Sequence, residues 1–354
     1  VAMAAGTPDR YLELAIQRLI ASGEIKDWKA MEILQDLENK QAGHPTGSAF
    51  AAGKIILLGE HAAVYGRHAL AIPILDAVRA NATLNDNKTC LTLKEWGLNT
   101  IVDRENQSGV GAVVNTILDE LDVDNSKFLI NVSSNLPRGM GLGSSAAIAV
   151  AITRAIALCI GADIDDERVN AIAYACEKLT HGNPSGLDNT LSCYGKPMLF
   201  QKGKPLASKA LELCNQPPLL VGFSKNPSLT IDQVLGVRSR YDKNLSQYEA
   251  IFDQIDEISC RGSRALTAGH YEELGRLMNI CHGLLNAIEL STPDLENMIA
   301  IARDSGASGA KLTGSGGGGS MVALCPGTLD KVRSALHQAG YETFQSHASR
   351  GSMS

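Results

Sequence analysis

Four stretches of this sequence carry residues whose types and spacing could do chemistry. The first, "PRGMGLGSSAAIAVAI", runs from Pro137 to Ile152. Gly139, Gly141 and Gly143 permit tight turns and close approach of backbone to a ligand. Ser144 and Ser145 then stand where an apolar helix begins, and free amides and the helix dipole attract a phosphate there. Their hydroxyls add hydrogen bonds or a magnesium ligand; the plain alternative is a helix cap after a glycine turn. No GK[ST] follows the glycines, so this is not a P-loop, and it does not open an N-terminal βαβ unit as a dinucleotide fingerprint does. The second stretch, "AKLTGSGGGGSMVAL", puts Gly314 and Gly316 to Gly319 between a tight segment and an apolar strand. A loop that brings backbone to substrate or phosphate fits that setting better than a flexible linker does. In the third, "AAGKIILLGEHAAVYG", the polar Lys54, Glu60 and His61 are embedded in an apolar run. A buried charge needs a partner, so Lys54 should face a carboxylate or a phosphate unless its head reaches water. In the fourth, "YACEKLTHGNPSGLDN", Glu177 lies near a helix end and Asp188 follows a turn, where an Asp is ordinarily a turn or cap residue.

The elements that must position these groups follow from periodicity. "AFAAGKIILLGE", "ALAIPILDAVRANATL", "TCLTLK" and "FLINVS" read as strands. Residues 146–160 and 166–180 read as helices, the first nearly all apolar and so buried. A second group begins near "PLLVGFS", with helices around 245–265 and 271–285 and strands at "SMVAL" and "YETFQ". The predicted class is α+β, with two domains and a cleft between them. Before residue 46, Leu12, Ile16, Leu19 and Ile20, then Trp28, Met31, Leu34 and Leu37, mark two amphipathic helices broken at Gly23.

The chain has 354 residues, 44% hydrophobic and 20% charged, with a net charge of −6. That size suffices for two ordinary domains, and the charge leaves no basic excess for nucleic acid. Eight scattered cysteines with no CxxC pair read as reduced thiols of a cytoplasmic protein. No apolar run is long enough to span a membrane, and the start lacks the pattern of a signal peptide.

Together the four stretches, in their order along the chain, resemble the superfamily of galactokinase, homoserine kinase, mevalonate kinase and phosphomevalonate kinase (GHMP kinases) over about residues 48–345. Within it they are most similar to the mevalonate kinase branch, with "GKIILLGEHAAVYG" and "HGNPSGLDN" its most specific features. Ala62 and Ala63 follow the GEH triplet, where galactokinases carry an acidic residue.

The resemblance implies a ribosomal-protein-S5-domain-2-like ATP-binding domain over 46–213 and a ferredoxin-like domain over 214–354, preceded by the extension 1–45. It implies ATP and Mg²⁺ as cofactors, mevalonate as substrate, and a homodimer with neither nucleic acid nor membrane as partner. Asp188 would be the base that takes the substrate hydroxyl proton, and Lys54 would stabilise charge on the transferring phosphoryl. Ser145 and Glu177 would ligate Mg²⁺. Pro137, Gly139, Gly141, Leu142, Gly143, Ser144, Ser145 and Ala146 would surround the ATP phosphates. Glu60, His61 and Thr230, with Gly314, Ser315 and Gly316, would join Lys54 and Asp188 on the substrate side. One departure is Ala52, where the family carries Pro. The "VAMAAG" start also resembles the C-terminal end of bacterial-type hydroxymethylglutaryl-CoA reductase, so a fused remnant stands beside the plainer expectation of a packed helical hairpin. The competing functions are a sister kinase of the same fold, a diphosphomevalonate decarboxylase, and a non-catalytic ligand-binding relative; intact Lys54 and Asp188 disfavour the last.

Overall fold

From Thr46 to Phe50 buried and exposed residues alternate, and from Ala51 to Leu58 every residue is buried. This first strand, β1 (Thr46–Leu58), starts with one face on a helix and ends covered on both faces. The computed structural model describes residues 45–105, 109–123, 126–182, 184–203, 209–225 and 230–345. The extension expected over residues 1–45 lies almost wholly outside the described residues.

β2 (His68–Asn85) pairs antiparallel with β1 along one edge. Its other edge is shared by β5 (Lys127–Ser134) on the later half and β6 (Met198–Gln201) on the first four residues. β3 (Cys90–Leu93) lies parallel to β5, β4 (Leu98–Ile101) pairs with β3, and β7 (Lys209–Ala210) pairs with β6. Four helices accompany this sheet: α1 (Gly109–Glu120), α2 (Ser144–Ile160), α3 (Asp166–His181) and α4 (Leu187–Tyr194). Twelve of the seventeen residues of α2 are buried, as its largely apolar sequence requires, and it packs on β1 and β2. Asp165 caps α3, its carboxylate accepting from the Arg168 amide at 2.8 Å.

The second sheet is antiparallel, in the order β11 (Glu342–Gln345), β8 (Leu219–Phe223), β10 (Ser320–Leu324), β9 (Gly309–Thr313). The second half also holds α5 (Thr230–Lys243), α6 (Leu245–Thr267), α7 (Tyr271–Ala287), α8 (Pro293–Asp304) and α9 (Leu329–Gln338); the last three pack on this sheet, while α6 packs on the first sheet and on α7. One mixed and one antiparallel sheet, each with its own helices, make the molecule α+β, as its sequence pattern predicts.

The largest core cluster does not stop at the division between the sheets. Ile55, Leu57, Leu58, Leu70 and Ile72 of β1 and β2 pack in one cluster with Leu220, Phe252, Leu274, Met298 and Val322 of the second half. Each such fully buried side chain contributes about 1.5–3 kcal/mol of transfer free energy. A second cluster, with Val78, Phe128, Ile130, Val150 and Ile172, fills the first domain. No helix among the described residues is long and apolar enough to cross a membrane.

Candidate active site

Lys54 sits in β1 between two irregularities of its pairing with β2, at Ala51/Gly53 and Ile56/Leu58. Its amide donates to the Leu142 carbonyl at 2.9 Å, which joins the strand to the glycine turn before α2. That turn carries Gly143 at φ +74°, and a Cβ there would stand 2.9 Å from Lys54 Cγ. Only glycine admits both the backbone angle and the lysine stem. The Lys54 ammonium forms an ion pair with the carboxylate of Asp188, in the first turn of α4. The two side chains are thus delivered by the buried strand β1, which pairs with β2, and by a helix start rather than by loops.

Glu177, near the end of α3, is 4% exposed and has its pKa pushed up to about 8. Burial is the main cause and the charge of Asp188 adds to it, while Lys54 opposes. Ser144 and Ser145 open α2 in the same cavity. A hydroxyl and a buried carboxylate that lacks enough positive charge suit a hard divalent cation, which would restore the ionised form of Glu177.

Glu60 and His61 follow β1 and are held by the 3-10 turn Ala62–Tyr65, whose Tyr65 stacks on Phe252 of α6 at 4.6 Å between centroids. Glu60 is fully buried against Lys311 of β9, whose Nζ also donates to the Leu312 carbonyl at 2.6 Å. Burial raises the Glu60 pKa and the Lys311 charge opposes it. One Glu60 oxygen, Oε2, has no hydrogen-bond partner among the described residues. His61 adopts φ +59°, and burial pulls its pKa down to about 4, against the Ser315 bond. The neutral ring therefore donates from Nε2 to the Ser315 carbonyl at 2.9 Å, since a carbonyl only accepts.

The glycine-rich segment after β9 closes the site from the second domain. Gly314 lies against Gly141, where a Cβ would come within 3.1 Å of the Gly141 carbonyl oxygen. Ser320 donates to the Met140 carbonyl at 2.6 Å, and Thr313 donates to the Ile56 carbonyl at 2.9 Å. Three of the four chemistry-bearing stretches are thereby locked together by backbone and hydroxyl groups.

A cavity of about 340 Å³ results, within the range of small-molecule sites. Lys54, Glu60, His61, Gly139, Gly141, Gly143, Ser144, Ser145, Glu177, Asp188, Gly314 and Ser315 all line it. Four residues expected there do not. Pro137 borders an adjoining depression with Glu95 and Asn135. Leu142 and Ala146 point into the interior at 1% and 0% exposure, because a turn between glycines and a buried helix face send them inward. Gly316 is packed on the Leu290 carbonyl. Thr230 opens α5, but its side chain lies outside the described part of the structure. Among the residues that the sequence did not single out are Trp96, Arg138 and Lys311. Trp96 and Arg138 line the cavity together, with the guanidinium 5.4 Å from the ring centroid. Lys311, the partner of Glu60, had the same signal as Lys54, a lysine inside an apolar strand.

With this geometry in view, likeness to known proteins is informative. Residues 109–196 match the family described as GHMP kinases N terminal domain, and residues 263–342 that described as GHMP kinases C terminal. A mevalonate kinase of Pyrococcus furiosus is 34% identical over 315 residues, covering 82% of this chain and 93% of the relative. One from Methanothermobacter thermautotrophicus is 34% identical over 291 residues, with 82% and 94% covered. Among solved structures, that of L. major mevalonate kinase in complex with R-mevalonate superposes with a TM-score of 0.72 at 27% identity, over 86% of this chain and 98% of that one. A Lactococcus lactis galactokinase, 17% identical with a TM-score of 0.71, covering 85% of this chain and 93% of its own, shares the fold. Likeness that extends over both sheets, around a cavity built from the same four stretches, places the chain in the mevalonate kinase family of the GHMP kinases.

Proposed function

We propose that the chain transfers the γ-phosphoryl group of ATP to the 5-hydroxyl of (R)-mevalonate, giving 5-phosphomevalonate and ADP. The single observation that carries this reading is the Lys54–Asp188 ion pair facing Ser144, Ser145 and Glu177 in one cavity. Asp188 accepts the proton of the substrate hydroxyl as its oxygen bonds to phosphorus and the bond from phosphorus to the ADP oxygen breaks. The Lys54 ammonium stabilises the charge on the transferring group. The start of α2, with the hydroxyls of Ser144 and Ser145, holds the phosphates. Ser145 and Glu177 would hold Mg²⁺, which when bound neutralises phosphate charge. Glu60 and Lys311, a buried ion pair at the cavity wall, fix the shape of the substrate side. His61 positions the backbone of Ser315 at the edge of the site.

The likeness of about 34% to mevalonate kinases supports the choice of acceptor. Residues 46–213 are the ATP-binding part in this reading and residues 214–354 the second domain, in a cytoplasmic homodimer. A coupled ADP-release assay with Mg-ATP, comparing mevalonate, 5-phosphomevalonate, galactose and homoserine, tests it. Turnover with mevalonate alone is expected. Turnover with another acceptor would keep the mechanism and overturn the substrate, and silence with all four would overturn both. Sedimentation analysis of the full chain tests the dimer.

A further inference from the structure

Away from the cleft, a histidine, a carboxylate and a thiol converge where the first sheet meets α6. His68 is the first residue of β2, and Asp256 and Cys260 stand one helical turn apart on α6. Nδ1 of His68 lies 2.8 Å from Oδ1 of Asp256 and 3.5 Å from Sγ of Cys260. The three atoms all fall within 4.8 Å of one another. A thiol–imidazole–carboxylate relay would need the two partners on opposite ring nitrogens. Both face Nδ1 here, so the group is no nucleophile with its base. It is instead a convergence of three donors on one point.

Ligand bonds of about 2.0–2.3 Å in a tetrahedral site put neighbouring donors roughly 3.3–3.8 Å apart. The sulfur–nitrogen distance already falls there, and the nitrogen–oxygen distance would open by about 0.5 Å. The carboxylate is anchored from elsewhere, since the His68 amide also donates to Asp256 Oδ1 at 2.5 Å. The His68 and Asp256 side chains are 26% and 32% exposed, so solvent reaches the group and a water could complete it. Thiolate with imidazole and carboxylate is a donor set for a borderline-soft cation and a poor one for Mg²⁺ or Ca²⁺.

We propose that His68, Asp256 and Cys260 form a binding site for a divalent cation of the Zn²⁺ class, which fastens α6 to the start of β2. On binding, Nδ1 of His68 gives up the proton it donates to Asp256 so that its lone pair faces the cation, Nε2 carries the ring proton, and the thiol gives its proton to solvent. The site is separate from phosphoryl transfer and stands whether or not the proposed acceptor is right.

The test is a Co²⁺ titration of the chelator-treated full chain in a thiol-free reductant, followed by absorption. One equivalent should produce a thiolate-to-cobalt charge-transfer band, which Zn²⁺ then abolishes. Co²⁺ at Ser145 and Glu177 would give no such band, because its ligands are oxygens. Cys260→Ser should remove the band while leaving Mg-ATP turnover unchanged, and Asp256→Asn should weaken Co²⁺ binding at least tenfold. Zn²⁺ should raise the thermal midpoint of the natural chain and not that of Cys260→Ser. Absence of the band, or its survival in Cys260→Ser through one of the other seven cysteines, overturns the proposal.

Discussion

Lys54 and Asp188 lie 134 positions apart in the chain and meet as an ion pair on the wall of the cleft. Asp188→Asn keeps the size and removes the base, so kcat should fall roughly a thousandfold or more while ATP affinity stays near normal. Single-turnover kinetics with nucleotide-binding measurements check this, and an active variant would remove Asp188 from the role. Lys311→Met tests the support of Glu60, because it strands a buried carboxyl without its cation. Breaking such a pair costs about 3–5 kcal/mol. The expected result is a lower thermal midpoint and a raised KM for mevalonate. The double variant with Glu60→Gln should recover the midpoint but not the KM. Glu177 gives a pH signature. Its carboxyl keeps a proton to about pH 8 in the folded chain and loses it near its ordinary 4.5 when unfolded. Without divalent cation the folded state therefore holds more protons between those values, and stability falls as pH rises through that window. Denaturant titrations across pH should show the decline, and Glu177→Gln should flatten it. The polar residues of this site were legible because a charge in an apolar run demands a partner, which located Lys54, Glu60 and His61. The same rule applied to "GAKLT" would have located Lys311. Trp96 was not legible, since it sits in a turn between β3 and β4 and reaches the cavity only through the pairing of distant strands.

At the scale of elements, the turn before α2 matters as a spacer between a helix start and a lysine. Gly143→Ala would combine a left-handed backbone angle with a methyl 2.9 Å from Lys54 Cγ. Displacing the ammonium by a fraction of an ångström should lower kcat roughly ten- to hundredfold, with a rise in the KM for Mg-ATP. If steady-state kinetics leave kcat unchanged, Lys54 does not depend on that glycine. The long helices α2, α3, α6 and α7 were legible from periodicity because each has a sustained apolar face. α4 was read as the region after a turn, since eight residues starting at Leu187 hold too few periods to show. α8 shows in its opening rather than in its periodicity: Thr292 and Pro293 are a usual helix start, with the Thr292 hydroxyl accepting from the Leu295 amide at 3.3 Å. Inward-facing Leu142 and Ala146 illustrate the limit of a motif, which names a stretch and leaves the direction of each side chain to the backbone.

For the whole molecule, the decisive feature is a core that crosses between the sheets. The sequence announced two domains by the change of pattern near residue 214, but it could not show that the ends of β1 and β2 are packed in the second one. Such contacts arise from strands that are far apart in the chain, beyond the reach of local periodicity. Leu58 shows the consequence for stability: it is fully buried, and a Cβ added at Gly262 of α6 would lie 2.2 Å from its Cδ1. Leu58→Ala should cost about 2–5 kcal/mol. Calorimetry should show one transition that moves down as a unit, and two transitions shifting separately would contradict a shared core. The same feature bears on how such chains diversify. If the second half of one relative were joined to the first half of another near residue 214, the graft would inherit a helix face shaped for somebody else's strands. Recombination at that seemingly natural joint should therefore yield few viable hybrids, and lineages of this architecture should change acceptor by piecemeal substitution around the cleft rather than by trading halves.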